Sequence, residues 1–205
     1  MTDGIQAHWD NVYATKAAHE TSWYEPTSQK SMALIRNARI SSHEPIIDVG
    51  GGASRLADEL LSAGYQDVTV LDVSDTVLNT VRERLGTRAD AVRFLQTDIT
   101  AFRPTRQYAL WHDRAVFHFL TAPEDRRRYV DALRAGVRPG GHVIMATFGP
   151  QGPQRCSGLP VVRYEAATLG AELGSEFRLV ETSLSVHHTP GGTEQQFLYC
   201  RFLRG

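Results

Sequence analysis

The sequence predicts an α/β protein with a doubly wound, mostly parallel sheet of seven strands, helices on both faces and a C-terminal antiparallel hairpin. Three observations support this fold class. Short apolar runs alternate with amphipathic, helix-like segments between residues 45 and 148. Three consecutive glycines follow the first apolar run directly. Two extended runs joined by the turn sequence TPGGT lie near the end of the chain.

The first part of the alternation predicts three strands separated by two helices. The helix in RLADELLSAG ends at Gly64, and the next helix begins at the N-cap residue Ser74 and ends at Gly86. Apolar runs that end at glycine or polar residues predict the strands PIIDV (45–49), DVTVLDVS (67–74) and AVRFLQ (91–96).

The second part predicts two further strands with a helix between them. The helix in TAPEDRRRYVDALRAGV begins with Thr121 and Glu124 at the spacing of a capping box. The strands are YALWH (108–112) and HVIMATF (142–148), and the second follows a PGG turn (139–141). This order of elements favours a mostly parallel sheet, because parallel strands need crossover helices between them.

The last two predicted strands depart from this alternation. FRLVETSLSVHH (177–188) and EQQFLYCRFL (194–203) are extended runs separated by one proline and two glycines. That pattern is typical of a β-hairpin, so an antiparallel pair completes the predicted sheet.

Composition restricts the class of protein. The 205 residues include 41% hydrophobic and 22% charged side chains, as expected for one globular domain, residues 1–205. A net charge of −1 argues against nucleic acid or an anionic membrane as a partner. No apolar run reaches the roughly 18 residues that a membrane span requires. We therefore expect a small-molecule partner and a monomer or weak homodimer.

The two cysteines and the N-terminal sequence bear on localisation. Cys156 and Cys200 have no short spacing between them, which indicates a reducing compartment and no structural zinc. The start MTDGIQAHWD lacks the basic and then apolar order of a signal peptide. These features predict a cytoplasmic protein.

The glycine loop IIDVGGGASRL follows the first strand and is a candidate ligand site. A dinucleotide fingerprint counted from Gly50 would need glycine where Arg55 stands. Asp48 would also repel a diphosphate, although it could orient an ammonium group. The loop therefore favours a ligand with an amino-acid end, but glycines of this kind are as common in tight turns as in binding sites.

Two further acids lie at the ends of the next strands. Asp72 ends the second strand, 24 residues after Asp48, and a carboxylate at that position can accept hydrogen bonds from a ribose diol. Asp98 ends the third strand, where it can accept from an exocyclic amine while Ile99 packs on a purine ring. Three acids at successive strand ends, beside a glycine loop, favour a nucleoside-binding site.

The motifs DVGGGAS, VLDVS, LQTDI, WHDRAVFHFL and RPGGHVIMATF resemble class I S-adenosylmethionine-dependent methyltransferases, which have a Rossmann-like fold. The resemblance spans roughly residues 46 to 203, although Ser54 replaces the last glycine of the family's loop. It implies S-adenosyl-L-methionine as cofactor and S-adenosyl-L-homocysteine as product. It also implies that the cofactor contacts are Gly50, Gly51, Gly52, Asp72, Val73, Asp98 and Ile99.

A narrower set, HWDNVY, WHDRAVFHFL and TFGPQGPQRCSGLPVVRYEA, is similar to thiopurine S-methyltransferase-like enzymes. This similarity implies that Tyr13 and Trp23 close over the cofactor and that Arg114 lies beside it. The domain then divides into an N-terminal helical lid (1–40) and a Rossmann-like core (45–205). The acceptor it suggests is a small molecule with a thiol or another soft nucleophile.

Two side chains near the fourth strand are candidates for catalysis. Arg114 could stabilise a thiolate, and His112 could act as a general base for an amine or a hydroxyl group. We expect no metal, because the histidines lack a third ligand at a suitable spacing.

Three other functions remain open from the sequence. One is a protein-lysine methyltransferase, which should have an acidic, open groove. Another is a module that binds S-adenosylmethionine without catalysis. A nicotinamide oxidoreductase is the most remote, and a comparison of NAD with S-adenosylmethionine binding would distinguish it.

Overall fold

A computed structural model describes residues 2–205, with side chains from residue 4 onward. The helices are α1 (Thr2–Thr15), α2 (Gln29–Ala38), α3 (Leu56–Ser62), α4 (Asp75–Leu85), α5 (Pro123–Gly136) and α6 (Ala166–Leu173). The strands are β1 (Ile46–Val49), β2 (Val68–Asp72), β3 (Val92–Gln96), β4 (Tyr108–Arg114), β5 (Val137–Phe148), β6 (Arg155–Cys156), β7 (Leu159–Pro160), β8 (Phe177–His188) and β9 (Glu194–Arg204).

The main sheet has seven strands in the order β3-β2-β1-β4-β5-β9-β8. The strands β1 to β5 are parallel, and β9 runs antiparallel to both β5 and β8. This arrangement confirms the predicted fold class, including the closing hairpin. Because the strand order reverses between β1 and β4, the crevice at their carboxyl ends is where such sheets bind ligands.

The side-chain alternation of β4 decides which of its residues reach the crevice. Trp111 and Asp113 point to the face covered by α5, where the indole donates to the Tyr129 hydroxyl at 2.9 Å. His112 and Arg114, on the opposite face, reach the crevice. Asp113 accepts hydrogen bonds from Tyr129 and from two backbone N–H groups after the strand, so it stabilises this turn.

The predicted capping box at the start of α5 is wrong. The N-cap residue is Ala122, without a side-chain cap, and Pro123 occupies the first helical position. Proline is favoured there because its fixed φ suits a helix start, so Thr121 lies one residue outside the helix. The cap at Ser74 is confirmed, since its hydroxyl accepts from the Val77 N–H.

The strand ends also differ from prediction. β4 continues to Arg114, and β5 begins at Val137, ahead of the PGG turn. The short β6–β7 hairpin was not predicted. Two-residue strands carry too little hydrophobic periodicity to be recognised in a sequence. Within residues 2–205 no helix has the length and apolar character needed to cross a membrane.

The N-terminal helices lie against the carboxyl edge of the sheet. The Asp10 carboxylate on α1 accepts a 2.5 Å hydrogen bond from the Ser74 hydroxyl at the start of α4. Ile35 of α2 is fully buried against the core. Tyr13 of α1 and Ser31 of α2 both lie at the pocket formed at this edge.

Candidate functional site

A cavity of about 450 Å³ lies at the carboxyl ends of the parallel strands. Its walls come from the sheet edge, from α1 and from the connections that follow β1, β2, β3 and β4. Every site residue predicted from the sequence lines it: Tyr13, Trp23, Gly50, Gly51, Gly52, Asp72, Val73, Asp98, Ile99, His112 and Arg114.

The glycine loop requires glycine for two separate reasons. Gly50 and Gly52 have φ angles of +64° and +48°, a backbone conformation that is energetically unfavourable for residues other than glycine. A Cβ atom on Gly50 would overlap the Val116 side chain, and one on Gly51 would lie 2.9 Å from Oδ2 of Asp48. Side chains larger than glycine would therefore disturb the packing of the loop against Val116 and Asp48.

Arg84 on α4 holds the end of this loop in place, a role that no sequence motif predicts. Its guanidinium donates to the carbonyl oxygens of Ala53 and Ser54 at 3.1 and 2.6 Å. It also forms an ion pair with Asp58 at 2.8 Å. One side chain therefore links α3, α4 and the end of the glycine loop.

Asp72 is held at the end of β2 by backbone groups. One carboxylate oxygen accepts from the Gly52 N–H and the other from the Ser74 N–H, each at 3.0 Å. Burial raises the pKa of Asp72 to about 6, against the opposite effect of these hydrogen bonds. The carboxylate is thus oriented before a ligand arrives.

Asp98 and Ile99 lie at the end of the pocket nearest β3. One Asp98 oxygen accepts from both the N–H and the hydroxyl of Thr100, at 2.8 Å each. Ile99 is buried and belongs to the core on the α5 face of the sheet. The pair therefore offers a fixed carboxylate beside an apolar surface.

His112 forms a buried chain with Asp48 and Ser31. Nδ1 lies 2.7 Å from a carboxylate oxygen of Asp48, and Nε2 lies 2.8 Å from the Ser31 hydroxyl. All three side chains line the pocket and are nearly inaccessible. Because both ring nitrogens already have partners, this geometry favours a positioning role over that of an unengaged base.

Arg114 uses its guanidinium donors on the protein itself. Nε donates to the Tyr199 hydroxyl at 3.1 Å, and Nη1 donates to the Trp23 carbonyl at 2.9 Å. Nη2 lies 2.8 Å from the Glu25 carboxylate. Burial lowers the pKa of Arg114, but Tyr199 and Glu25 more than offset this, and the pKa is raised.

Residues 21–25, which we call the cap segment, close the pocket above Arg114. Besides the Arg114 contacts, His187 on β8 lies 2.8 Å from the Ser22 carbonyl and 3.8 Å from the Glu25 carboxylate. The Cys156 thiol lies 4.0 Å from the Ser22 hydroxyl, and burial raises the pKa of this cysteine. The cap segment is therefore held from both β4 and β8.

The side chains of Trp9, Tyr13, Trp23 and Phe119, which we call the aromatic group, pack together beside the cap segment. Trp9 packs edge-on against Trp23 and Phe119, with ring centroids 5.7 and 5.2 Å apart. Tyr13 packs against Trp23 at 6.3 Å. Burial, followed by the neighbouring Asp72, raises the pKa of Tyr13 well above its usual value. These rings give this part of the pocket an apolar wall.

The sequence pattern missed several residues of the site. Glu25 and Ser31 lie in stretches without a motif, and only the fold brings them to Arg114 and His112. Ala115, directly after β4, has a φ of +71°, a strained conformation for alanine that no feature of the sequence predicts. Residues 4–205 bring together no group of three potential metal-ligating side chains.

The combination of a doubly wound sheet with a glycine loop and an oriented acid at the end of β2 defines a nucleoside-binding α/β fold. Residues 46–141 match the sequence family described as "Methyltransferase domain". A solved structure described as "Conversion of a Disulfide Bond into a Thioacetal Group during Echinomycin Biosynthesis" superposes with a TM-score of 0.79 at 17% identity. The superposition covers 98% of this chain and 91% of the chain in that structure.

Two relatives show similarity in sequence. The mouse "eEF1A lysine and N-terminal methyltransferase" is 25% identical over 137 residues, which is 65% of this chain and 19% of the relative. The "Malonyl-[acyl-carrier protein] O-methyltransferase" of Paenibacillus sp. (strain JDR-2) is 31% identical over 123 residues, 57% of this chain and 44% of the relative. The match therefore covers less than half of either relative.

These findings confirm the predicted class. Residues 46–141 match a methyltransferase domain, and the chain has the fold of class I S-adenosylmethionine-dependent methyltransferases. S-Adenosylmethionine is the methyl donor of this class, and the glycine loop that lines the cavity and the oriented Asp72 suit such a ligand.

Proposed function

We propose that the chain transfers a methyl group from S-adenosylmethionine to a small-molecule acceptor through a thiol or another soft nucleophile. The observation that carries this is that the buried carboxylates and the histidine of the pocket are already engaged. Within residues 4–205, Asp48 pairs with His112, Asp72 with backbone N–H groups, and Glu25 with Arg114. An acceptor whose proton must be removed would meet no unengaged base among these groups.

The order of the strands suggests how the donor lies in the pocket. Asp98 with Ile99 at β3 would hold the adenine, Asp72 with Val73 at β2 the ribose, and Gly50–Gly52 at β1 the methionine end. The donor supplies a methyl group already activated by its sulfonium centre. The protein then needs to align the acceptor and exclude water.

The N-terminal residues support exclusion of water. Tyr13 and Trp23 line the pocket, and the cap segment is tied to β4 and β8. We propose that they close over the donor and that the acceptor lies beyond β1, between Arg114 and the aromatic group. This closed chamber suits a small acceptor better than a protein side chain.

A sulfur acceptor fits this chamber best. A thiol ionises at a lower pH than an amine or an alcohol, so it needs little help from a base. Sulfur chemistry is also what the description of the solved structure with the TM-score of 0.79 names for that protein. In this view Arg114 and His112 position the site, and neither takes a proton from the acceptor.

Calorimetry and an acceptor screen test this function. We expect S-adenosylhomocysteine to bind and NAD not to bind, and we expect mass spectrometry to detect methylated thiols in preference to amines and phenols. Binding without transfer to any of the three acceptor classes would contradict the enzyme and favour a binding module. Preferential methylation of a lysine-containing protein would contradict the small-molecule acceptor.

A further inference from the structure

The charged side chains of the pocket differ between its rim and its interior. Arg55 and Arg128 are exposed at the rim, whereas the Arg114 side chain is only 13% exposed and lies inside, next to the aromatic group. Arg114 is therefore the arginine able to act on the charge of a molecule that enters this part of the pocket.

Glu25 cancels that charge. Its carboxylate lies 2.8 Å from Nη2 of Arg114, and its own side chain is 24% exposed. His187, the other titratable group near Glu25, has a pKa lowered first by burial and then by Arg114. Three further titratable groups lie near Arg114: burial raises the pKa values of the Tyr199 hydroxyl and the Cys156 thiol, and burial followed by Arg114 lowers the pKa of His118 to about 3.

We infer that Glu25 determines which acceptors the pocket takes: by pairing with Arg114 it makes the chamber under the cap segment electrically neutral and excludes acceptors with a second, anionic group. This inference rests on the proposed function, because it concerns the acceptor of that reaction. It assigns a specificity-determining role to a residue outside every recognisable motif.

The physical reason is the cost of moving a carboxylate out of water. A buried anion requires a cation and hydrogen-bond donors that are not already used. The charge of Arg114 is already paired with Glu25 at 2.8 Å, and its Nε and Nη1 donate to Tyr199 and Trp23, so an entering anion would have to displace Glu25 from Nη2. An uncharged substituent pays no comparable desolvation cost among the aromatic rings.

The test compares two thiols of similar size, 2-mercaptoethanol and mercaptoacetate. For the unmodified protein we expect kcat/KM to favour 2-mercaptoethanol by at least about tenfold. Glu25→Gln keeps the size and hydrogen-bonding ability of the side chain but leaves Arg114 unpaired. We expect it to shift the ratio toward mercaptoacetate by about tenfold or more.

Two variants separate a charge effect from a structural one. In Glu25→Gln/Arg114→Gln the chamber is neutral again, so the ratio should return toward that of the unmodified protein. A purely structural role for Glu25 would not produce this reversal. Glu44→Gln breaks an ion pair with Arg138 that lies outside the pocket, and it should leave the ratio unchanged.

A binding measurement makes the inference independent of turnover. Tryptophan fluorescence in the presence of S-adenosylhomocysteine reports the affinities of 2-(methylthio)ethanol and (methylthio)acetate, which cannot react. In Glu25→Gln we expect the ratio of these two affinities to shift toward (methylthio)acetate, as the kcat/KM ratio does toward mercaptoacetate. An unchanged ratio in a folded variant that still binds S-adenosylhomocysteine would overturn the role of Glu25. Binding with the expected preference but without methyl transfer would overturn only the proposed enzyme.

Discussion

At the β1–β3 end of the pocket, backbone N–H groups orient carboxylates, whereas at the β4 end distant segments hold a guanidinium. Asp72 accepts from Gly52 and Ser74, which lie 20 and 2 residues away. Arg114 contacts Trp23 and Tyr199, which are separated from it by 91 and 85 residues. The first end is therefore set by the strand–loop–helix units, and the second depends on how the N-terminus and the last strands pack.

This difference has a consequence for function. A ligand at the β1–β3 end meets groups that the sheet has already fixed. At the β4 end, the shape and charge of the chamber depend on the cap segment remaining in place. We therefore expect changes at the first end to act on donor binding, and changes at the second to act on the acceptor.

The largest effect should come from Asp72→Ala. The two proposed ribose hydrogen bonds are charge-assisted and worth about 1.5 kcal/mol or more each, so we expect S-adenosylhomocysteine to bind at least tenfold more weakly, and about a hundredfold if both are lost. Calorimetry measures this affinity. Asp75→Ala, which removes the exposed acid at the start of α4, is the matched control. An unchanged affinity for Asp72→Ala would remove this residue from the donor site.

Arg114→Met should give the next largest effect, at the other end of the pocket. Losing the contacts to the cap segment should reduce kcat/KM by about tenfold through the acceptor KM, while S-adenosylhomocysteine affinity changes less. Arg114→Lys keeps the charge without the forked geometry and should retain part of the activity.

The pH profile of Arg114→Met distinguishes two roles of this residue. If Arg114 only positions the cap segment, the profile should run parallel to that of the unmodified protein. A defect that shrinks toward the thiol pKa, about 8.5 for a cysteine-like thiol, would instead show that Arg114 stabilises the thiolate directly.

A smaller effect is expected from pH at the donor end. Because burial raises the pKa of Asp72 to about 6, its carboxyl group is protonated below that pH and can no longer accept hydrogen bonds from both ribose hydroxyls. The affinity for S-adenosylhomocysteine should be constant above about pH 7 and fall about fourfold at pH 5.5. Calorimetry across this range should show no such step for Asp72→Asn. A step of equal size in that variant would assign the titration to another group.

The smallest effect should come from Arg84→Met, which acts on the glycine loop from outside the pocket. The Arg84 side chain is 21% exposed, so its hydrogen bonds to Ala53 and Ser54 should contribute about 0.5–1 kcal/mol. We expect S-adenosylhomocysteine affinity to weaken about threefold. Arg82→Met, in the same helix, breaks a more exposed ion pair with Asp75 and serves as the control.

Much of the β1–β3 end could be predicted from the sequence because its signals are local. Gly50–Gly52 follow a buried apolar run, Asp72 ends the next run, and parallel strands bring their carboxyl ends to one edge. The helix start at Ser74 was readable for the same reason. The start of α5 was not, since the Thr121 and Glu124 spacing suggested a cap that Pro123 displaced by one residue.

The alternation of strands and helices, the glycine loop and the acids at the strand ends follow from the amino-acid sequence alone, because each depends on residues close together in the chain. In contrast, the position of His112 between Asp48 and Ser31 and the pairing of Arg114 with Glu25 arise from the packing of the folded chain. Those contacts join residues that are 64 to 89 positions apart in the chain, and no periodicity encodes them. The charge and partners of a buried side chain depend on which distant segment the fold places against it.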